Sequence, residues 1–265
     1  MTRGVLHRPV EPARLKGKIA IVTGGGTGIG RAIALAFGRE GALVALLGRR
    51  RDVLDGVVSK LAALGAEGKA IVCDVIDNEA VRNAVDEVER TFGRVNVLVN
   101  NAGALSVSTV ETISEQDWDR VIDTNLKGPF LMSRAVLPAF RRAGGGSIVN
   151  VASVLGLIGM KDRAAYCASK GGVVLLTKAM ALDHAHEHVR VNCICPAIVE
   201  TELVKNLFDQ SEAGQNARNA RIATLPLGRF GRPEDVAELA VFLASDESSW
   251  MTGTAIPVDG GLSAY

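Results

Sequence analysis

What most constrains this chain is its alternation of two kinds of apolar pattern. Short continuous runs rich in β-branched residues recur at Lys18 to Thr23, Leu43 to Leu47, Lys69 to Cys73, Val95 to Val99, Ser147 to Ala152, Val189 to Ile194 and Thr254 to Val258. A strand with one wet face alternates apolar and polar residues. These runs do not, so they predict parallel strands covered on both faces. Between them the spacing turns helical: Ile29, Ile33 and Phe37 fall at steps of four, and Val81, Val85, Val88 and Phe92 make a second stripe. Strands and helices in alternation predict an α/β chain, a doubly wound parallel sheet flanked by helices.

The 265 residues suit one domain, expected over 18–265, after a flexible arm at 1–17 that has no apolar stretch and so reads as neither leader nor anchor. A formal net charge of +1 offers no excess of cations for nucleic acid, and no run of apolar residues reaches membrane length. A small-molecule partner is expected instead. Cys73, Cys167, Cys193 and Cys195 show no CxxC spacing, which fits reduced thiols in a cytoplasm. Pro233, Glu234 and Asp235 predict a helix start. Gly128 and Pro129 predict a kink or break in the stretch Ser114 to Phe140. Pro196 to Gly228 lacks clear periodicity, and a substrate lid is expected at about 197–228, whose Lys205, Arg218 and Arg221 could face an anionic substrate such as a carrier- or CoA-linked acyl group but read more simply as solvated surface.

Three constellations carry chemistry. Thr23-Gly-Gly-Gly-Thr-Gly-Ile-Gly30 follows the first strand and opens a helix, with glycines at 24, 28 and 30. Glycine there lets the backbone turn sharply and approach a pyrophosphate held by free N–H groups at the helix end, although a ligand-free turn would read the same way. At the end of the second strand, where an acidic residue would grip an adenosine ribose, stand Arg49, Arg50 and Arg51. A guanidinium clamps a 2′-phosphate, so Arg49 favours NADP(H), with NAD(H) still open, while Arg50 and Arg51 read as solvated helix-start residues. The third is Tyr166 and Lys170, i and i+4 on one helix, with Ser153 at the end of the fifth strand. An ammonium about 4 Å from a phenol would favour phenolate by roughly three pKa units.

At these residues the sequence resembles the short-chain dehydrogenase/reductase family, in look nearest to 3-oxoacyl-carrier-protein reductases. The TGxxxGxG loop at 23–30, Asn100-Asn-Ala-Gly103, Ser153, the YxxxK at 166–170 and the closing Pro257-Val-Asp-Gly-Gly261 match in order. The resemblance implies a Rossmann fold with a seven-stranded parallel sheet, and NAD(P)-dependent interconversion of a ketone and a secondary alcohol. It implies that Tyr166 is proton donor or acceptor and that Ser153 hydrogen-bonds the reacting oxygen. Lys170 would bind the nicotinamide ribose, and Asn125 would complete a water-mediated relay. It likewise places the cofactor on Gly24, Gly26, Thr27, Gly28, Ile29 and Gly30, on Asp74 and Val75 beside the adenine, and on Asn101, Ala102 and Gly103 in the crevice. Pro196, Ile198 and Thr201 would meet the carboxamide and phosphate side, and a homotetramer is implied. The chain departs from the family at Pro196-Ala197, where Pro-Gly is usual, and at Thr27, where users of NADP often carry a basic residue.

A non-catalytic nucleotide-binding sensor would keep the loop but has no use for Ser153, Tyr166 and Lys170 together. A dehydratase or epimerase with the same Tyr and Lys is disfavoured by the short C-terminal portion. His184, His186 and His188 with Glu187 do not follow HExxH, so no metal is expected. Gly171 and Gly172 predict close approach, within the chain or across subunits. Trp118 and Trp250 read as core or interface residues.

Overall fold

All seven apolar runs form strands. The computed structural model describes residues 13–205, 208 and 211–264. Its strands are β1 (Ile19–Thr23), β2 (Leu43–Gly48), β3 (Gly68–Val72), β4 (Val97–Asn100), β5 (Gly146–Val151), β6 (Val189–Pro196) and β7 (Ala255–Val258). The helices are α1 (Gly28–Arg39), α2 (Arg51–Ala63), α3 (Asn78–Phe92), α4 (Glu115–Ile122), α5 (Gly128–Ala143), α6 (Ala164–His184), α7 (Glu202–Lys205), α8 (Glu212–Ala223) and α9 (Pro233–Ala244). The sheet is wholly parallel in the order β3-β2-β1-β4-β5-β6-β7, with Ile19 opposite Leu43 and Ala20 opposite Val97.

Each face of the sheet is buried because successive strand residues feed opposite layers. Ala20 and Val22 pack with Phe37 of α1, Leu61 of α2 and Val241 of α9. Ile19 and Ile21 pack with Val85 of α3, Met132 and Phe140 of α5 and Met180 of α6. This explains the apolar runs of the inner strands, whose residues have helices on both sides; on the edge strands β3 and β7, Val72 and Pro257 are exposed. The order reverses between β1 and β4, so their C-terminal ends splay into a crevice where such sheets bind ligands.

The arm and the expected helix break need correcting, and the structure places three other features. Residues 1–12 of the expected arm lie outside the described residues, but 13–17 dock: Leu15 is fully buried, and its N–H donates to the Glu40 carbonyl at 2.9 Å. The expected break near Gly128 is a π-helical turn, Asp123–Lys127, joining α4 to α5 without loss of helix, and Pro129 begins the regular winding that follows. The stretch expected to be a lid holds α7 and α8. Gly172 faces its own chain, since a Cβ there would stand 2.8 Å from Leu126 Cδ2. Trp250 belongs to no core, being 99% exposed.

Candidate active site

β1 ends in Thr23, whose side chain ties two loops together. Its Oγ1 accepts from the N–H groups of Asn101 and Ala102 at 2.9 and 3.1 Å. Asn101 Nδ2 in turn donates to the Thr23 and Gly24 carbonyls at 3.0 and 3.2 Å. The glycine loop is therefore fastened to the end of β4. Its glycines are required for space: a Cβ on Gly30 would lie 2.3 Å from the Gly24 carbonyl oxygen, and Gly24 has φ of +63°.

The loop delivers the N-terminus of α1 to the crevice. Thr27 gives it no side-chain cap, so first-turn N–H groups stay available to an anion. A carboxylate already stands there. Glu202 pairs with Arg31 at 3.2 Å, and it is held below the ordinary carboxylate range by its own backbone N–H and further by Arg31 and the Gly28 N–H. An uncapped helix end that draws a carboxylate, in a cradle that a single Cβ would fill, fits the phosphates of a dinucleotide.

Further along, the crevice is lined by Gly24, Thr27, Gly28, Ile29, Asn101, Ala102, Gly103, Ser153, Tyr166, Lys170, Pro196 and Thr201, so most expected cofactor residues meet in one place. Gly26 backs onto Val53 and Leu54 of α2, and Gly30 lies beneath the loop. Ile198 lines the adjoining cavity. Arg49, Asp74 and Val75 stand at the C-terminal ends of β2 and β3, beyond the crevice wall. Arg49 is exposed and enters no ion pair among the described residues, whereas Arg51 is bound to Asp55 at 2.9 Å.

Ser153 closes β5 and accepts from the Leu155 N–H at 3.1 Å. On α6, Lys170 is buried and its Nζ donates to the Val151 carbonyl at 2.8 Å, 5.7 Å from the Tyr166 ring centre. Loss of hydration pushes the Lys170 ammonium down to about 8. Burial pushes the Tyr166 phenol up, and a hydrogen bond with the Ser153 hydroxyl opposes that shift. In the chain alone the phenol is therefore raised, not lowered as its lysine neighbour led one to expect, because burial acts on the ring more strongly than the hydrogen bond with Ser153. Asn125, on the π-helical turn, donates to the Ala104 carbonyl at 2.9 Å and to Ser169 Oγ at 3.0 Å, and accepts from the Ala104 N–H at 2.7 Å. A Cβ on Gly103 would lie 3.4 Å from Asn125 Oδ1 and 3.9 Å from Lys170 Nζ, so glycine keeps that approach open.

Glu202 and Arg163 were not singled out for this site from sequence and arrive through tertiary folding. Thr23 heads the glycine loop that was, although its role as a tie between two loops was not read. Arg221 lies in the expected lid, where sequence offered it as a cation able to face an anionic substrate and preferred solvated surface.

A family profile described as Enoyl-(Acyl carrier protein) reductase matches residues 24–263. The chain is 41% identical over 249 residues to the 3-oxoacyl-(acyl-carrier-protein) reductase FabG of Thermotoga maritima, covering 94% of this chain and 99% of that one. It is 40% identical over 251 residues to the meso-2,3-butanediol dehydrogenase of Serratia marcescens, covering 95% and 96%. A protein of Beutenbergia cavernae, assigned as an NAD(P)-dependent gluconate 5-dehydrogenase and crystallised with NADP at low occupancy, superposes with a TM-score of 0.89 at 40% identity, covering 96% and 100%. On fold, site and relatives together, the chain belongs to the short-chain dehydrogenases/reductases, NAD(P)-dependent oxidoreductases that interconvert ketones and alcohols.

Proposed function

We propose that Tyr166 is the proton-transferring group of a ketone/secondary-alcohol oxidoreductase that prefers NADP(H). The observation that carries this is a shared wall: Ser153 and Tyr166 border both the polar crevice and an adjoining, largely apolar cavity of about 360 Å³. A substrate oxygen in that cavity can meet both hydroxyls while its carbon faces the crevice.

When bound, the nicotinamide cofactor supplies or accepts the hydride. Gly24, Thr27, Gly28 and Ile29 would hold its phosphates, with Gly26 and Gly30 giving the loop its path, and Arg49, Asp74 and Val75 would meet its adenosine end. Asn101, Ala102, Gly103 and Lys170 face the ribose side, and Pro196, Ile198 and Thr201 the carboxamide side. Ser153 donates to the substrate oxygen and fixes its distance from the phenol. Tyr166 gives its proton to that oxygen in reduction and takes it back in oxidation. Lys170, with one N–H on the Val151 carbonyl, keeps two donors for ribose and a proton path, and Asn125 fixes Ala104 behind it. NADP preference rests on the unpaired Arg49. A homotetramer fits the outward apolar Phe130, Leu175 and Leu182 of α5 and α6, and a cytoplasmic setting fits the free cysteines.

The test is absorbance of the reduced nicotinamide with both cofactors over ketones, β-keto thioesters and sugars. Tyr166→Phe is expected to lose turnover while retaining cofactor binding. Unchanged turnover overturns the assignment.

A further inference from the structure

The cavity beside the crevice is walled mainly by apolar side chains, among them Leu155, Met160 and Leu262. Two guanidinium groups interrupt that wall. Arg163 caps the start of α6, three residues before Tyr166, and Arg221 lies in the last turn of α8. Among the described residues lining the cavity none is acidic, and neither arginine enters an ion pair among the described residues. Nearby arginines behave differently: Arg218 is paired with Glu200 at 2.5 Å and Arg229 with Asp235 at 2.6 Å.

The two cations also act on one another. Arg163 is held below the ordinary arginine value first by burial and then by the charge of Arg221, with Asp162 pulling the other way. One Arg163 nitrogen donates to the Asp162 carbonyl at 2.7 Å, which engages the guanidinium without neutralising it. Two like charges beside apolar walls are unfavourable unless an anion joins them.

We propose that Arg163 and Arg221 form an anion-recognition subsite, so that the substrate is a small ketone or secondary alcohol bearing a compact anionic group on an apolar chain. The inference rests on the reading of Ser153 and Tyr166 given above. The anion sits between the guanidiniums, the chain lies along Leu155 and Met160, and the reacting oxygen reaches the two hydroxyls. Arginine suits this role because its planar fork matches carboxylate or sulfonate oxygens two at a time. Neutral polyols lack the group that the subsite binds.

The test compares 5-oxohexanoate with its methyl ester, which keeps the ketone and chain but removes the charge, using cofactor-loaded enzyme. The wild type is expected to favour the acid in kcat/KM by about tenfold or more, the worth of one charge-assisted hydrogen bond. Arg163→Gln and Arg221→Gln should each pull the acid-to-ester ratio toward one, chiefly through KM for the acid, while Arg163→Lys, which keeps the charge but not the fork, retains part of it. 5-Oxohexane-1-sulfonate should behave as the acid does. A wild-type ratio near one, or a ratio that neither glutamine substitution moves, overturns the subsite. If neither ketone turns over, calorimetric titration of hexanoate into cofactor-loaded protein decides the subsite, while the assignment of Tyr166 and Ser153 fails separately only if no member of the wider panel of ketones, β-keto thioesters and sugars turns over. Saturable binding lost in both glutamine variants supports it; no wild-type binding overturns it.

Discussion

Replacing Lys170 by methionine isolates the cost of burying an ammonium beneath the candidate site. The lysine is 5% exposed, and its pKa falls from the ordinary 10.5 to about 8. Between those values the unfolded chain binds more protons than the folded one, so stability rises with pH there; below 8 the full penalty is present and constant. The 2.5-unit difference corresponds to about 3 kcal/mol, of which about 2 kcal/mol should be recovered between pH 7 and pH 9.5. Lys170→Met keeps an unbranched side chain, one atom shorter, and removes the proton. Urea unfolding of cofactor-free wild type and variant, repeated across that range, gives a difference in which titrations common to both proteins cancel. The wild type is expected to gain on the variant by about 2 kcal/mol as pH rises. A difference that stays flat within about 0.5 kcal/mol from pH 7 to 9.5 would refute the reasoning, because it would mean Lys170 titrates alike folded and unfolded.

Asn125→Leu leaves the Ala104 N–H and carbonyl and the Ser169 hydroxyl without their side-chain partner; it should cost about 2–4 kcal/mol, read as a lower urea midpoint at unchanged slope. A loss below about 0.5 kcal/mol would show that these groups find other partners. Arg49→Gln should weaken NADP about tenfold while barely changing NAD, measured by calorimetry, and an equal loss for both would remove Arg49 from 2′-phosphate recognition. Glu202→Gln removes the carboxylate beside the Gly28 N–H and should tighten cofactor binding about two- to fivefold, an effect that salt screens; weaker binding would mean the acid helps rather than competes.

The strands were legible because burial on both faces leaves a simple trace, an apolar run such as Leu43 to Leu47 with no polar alternation. Ser153, Tyr166 and Lys170 were legible as a set because a strand end and one turn of helix bring them to the same crevice. The lysine's bond to Val151 was not, since it joins α6 to β5 across sequence that carries no shared pattern. α8 escaped notice because none of its residues is buried, so it has no apolar stripe to betray a period. It begins instead with a local signal, Ser211 accepting from the Gly214 N–H at 3.1 Å. Of the two places sequence offered Trp250, core or interface, its 99% exposure after a surface turn removes the core.

From Glu115 to Ala143 the backbone is one rod with a single overwide turn at Asp123–Lys127. Deleting one residue from that turn would perfect the winding and rotate everything beyond it by about 100°. Either Asn125 would swing away from Ala104, or Leu131, Met132, Val136 and Phe140 would leave the sheet. A length change of one residue here is therefore far more damaging than a change of side chain. The helix keeps its flaw because two surfaces on it, a little over a quarter-turn out of phase, must both face inward.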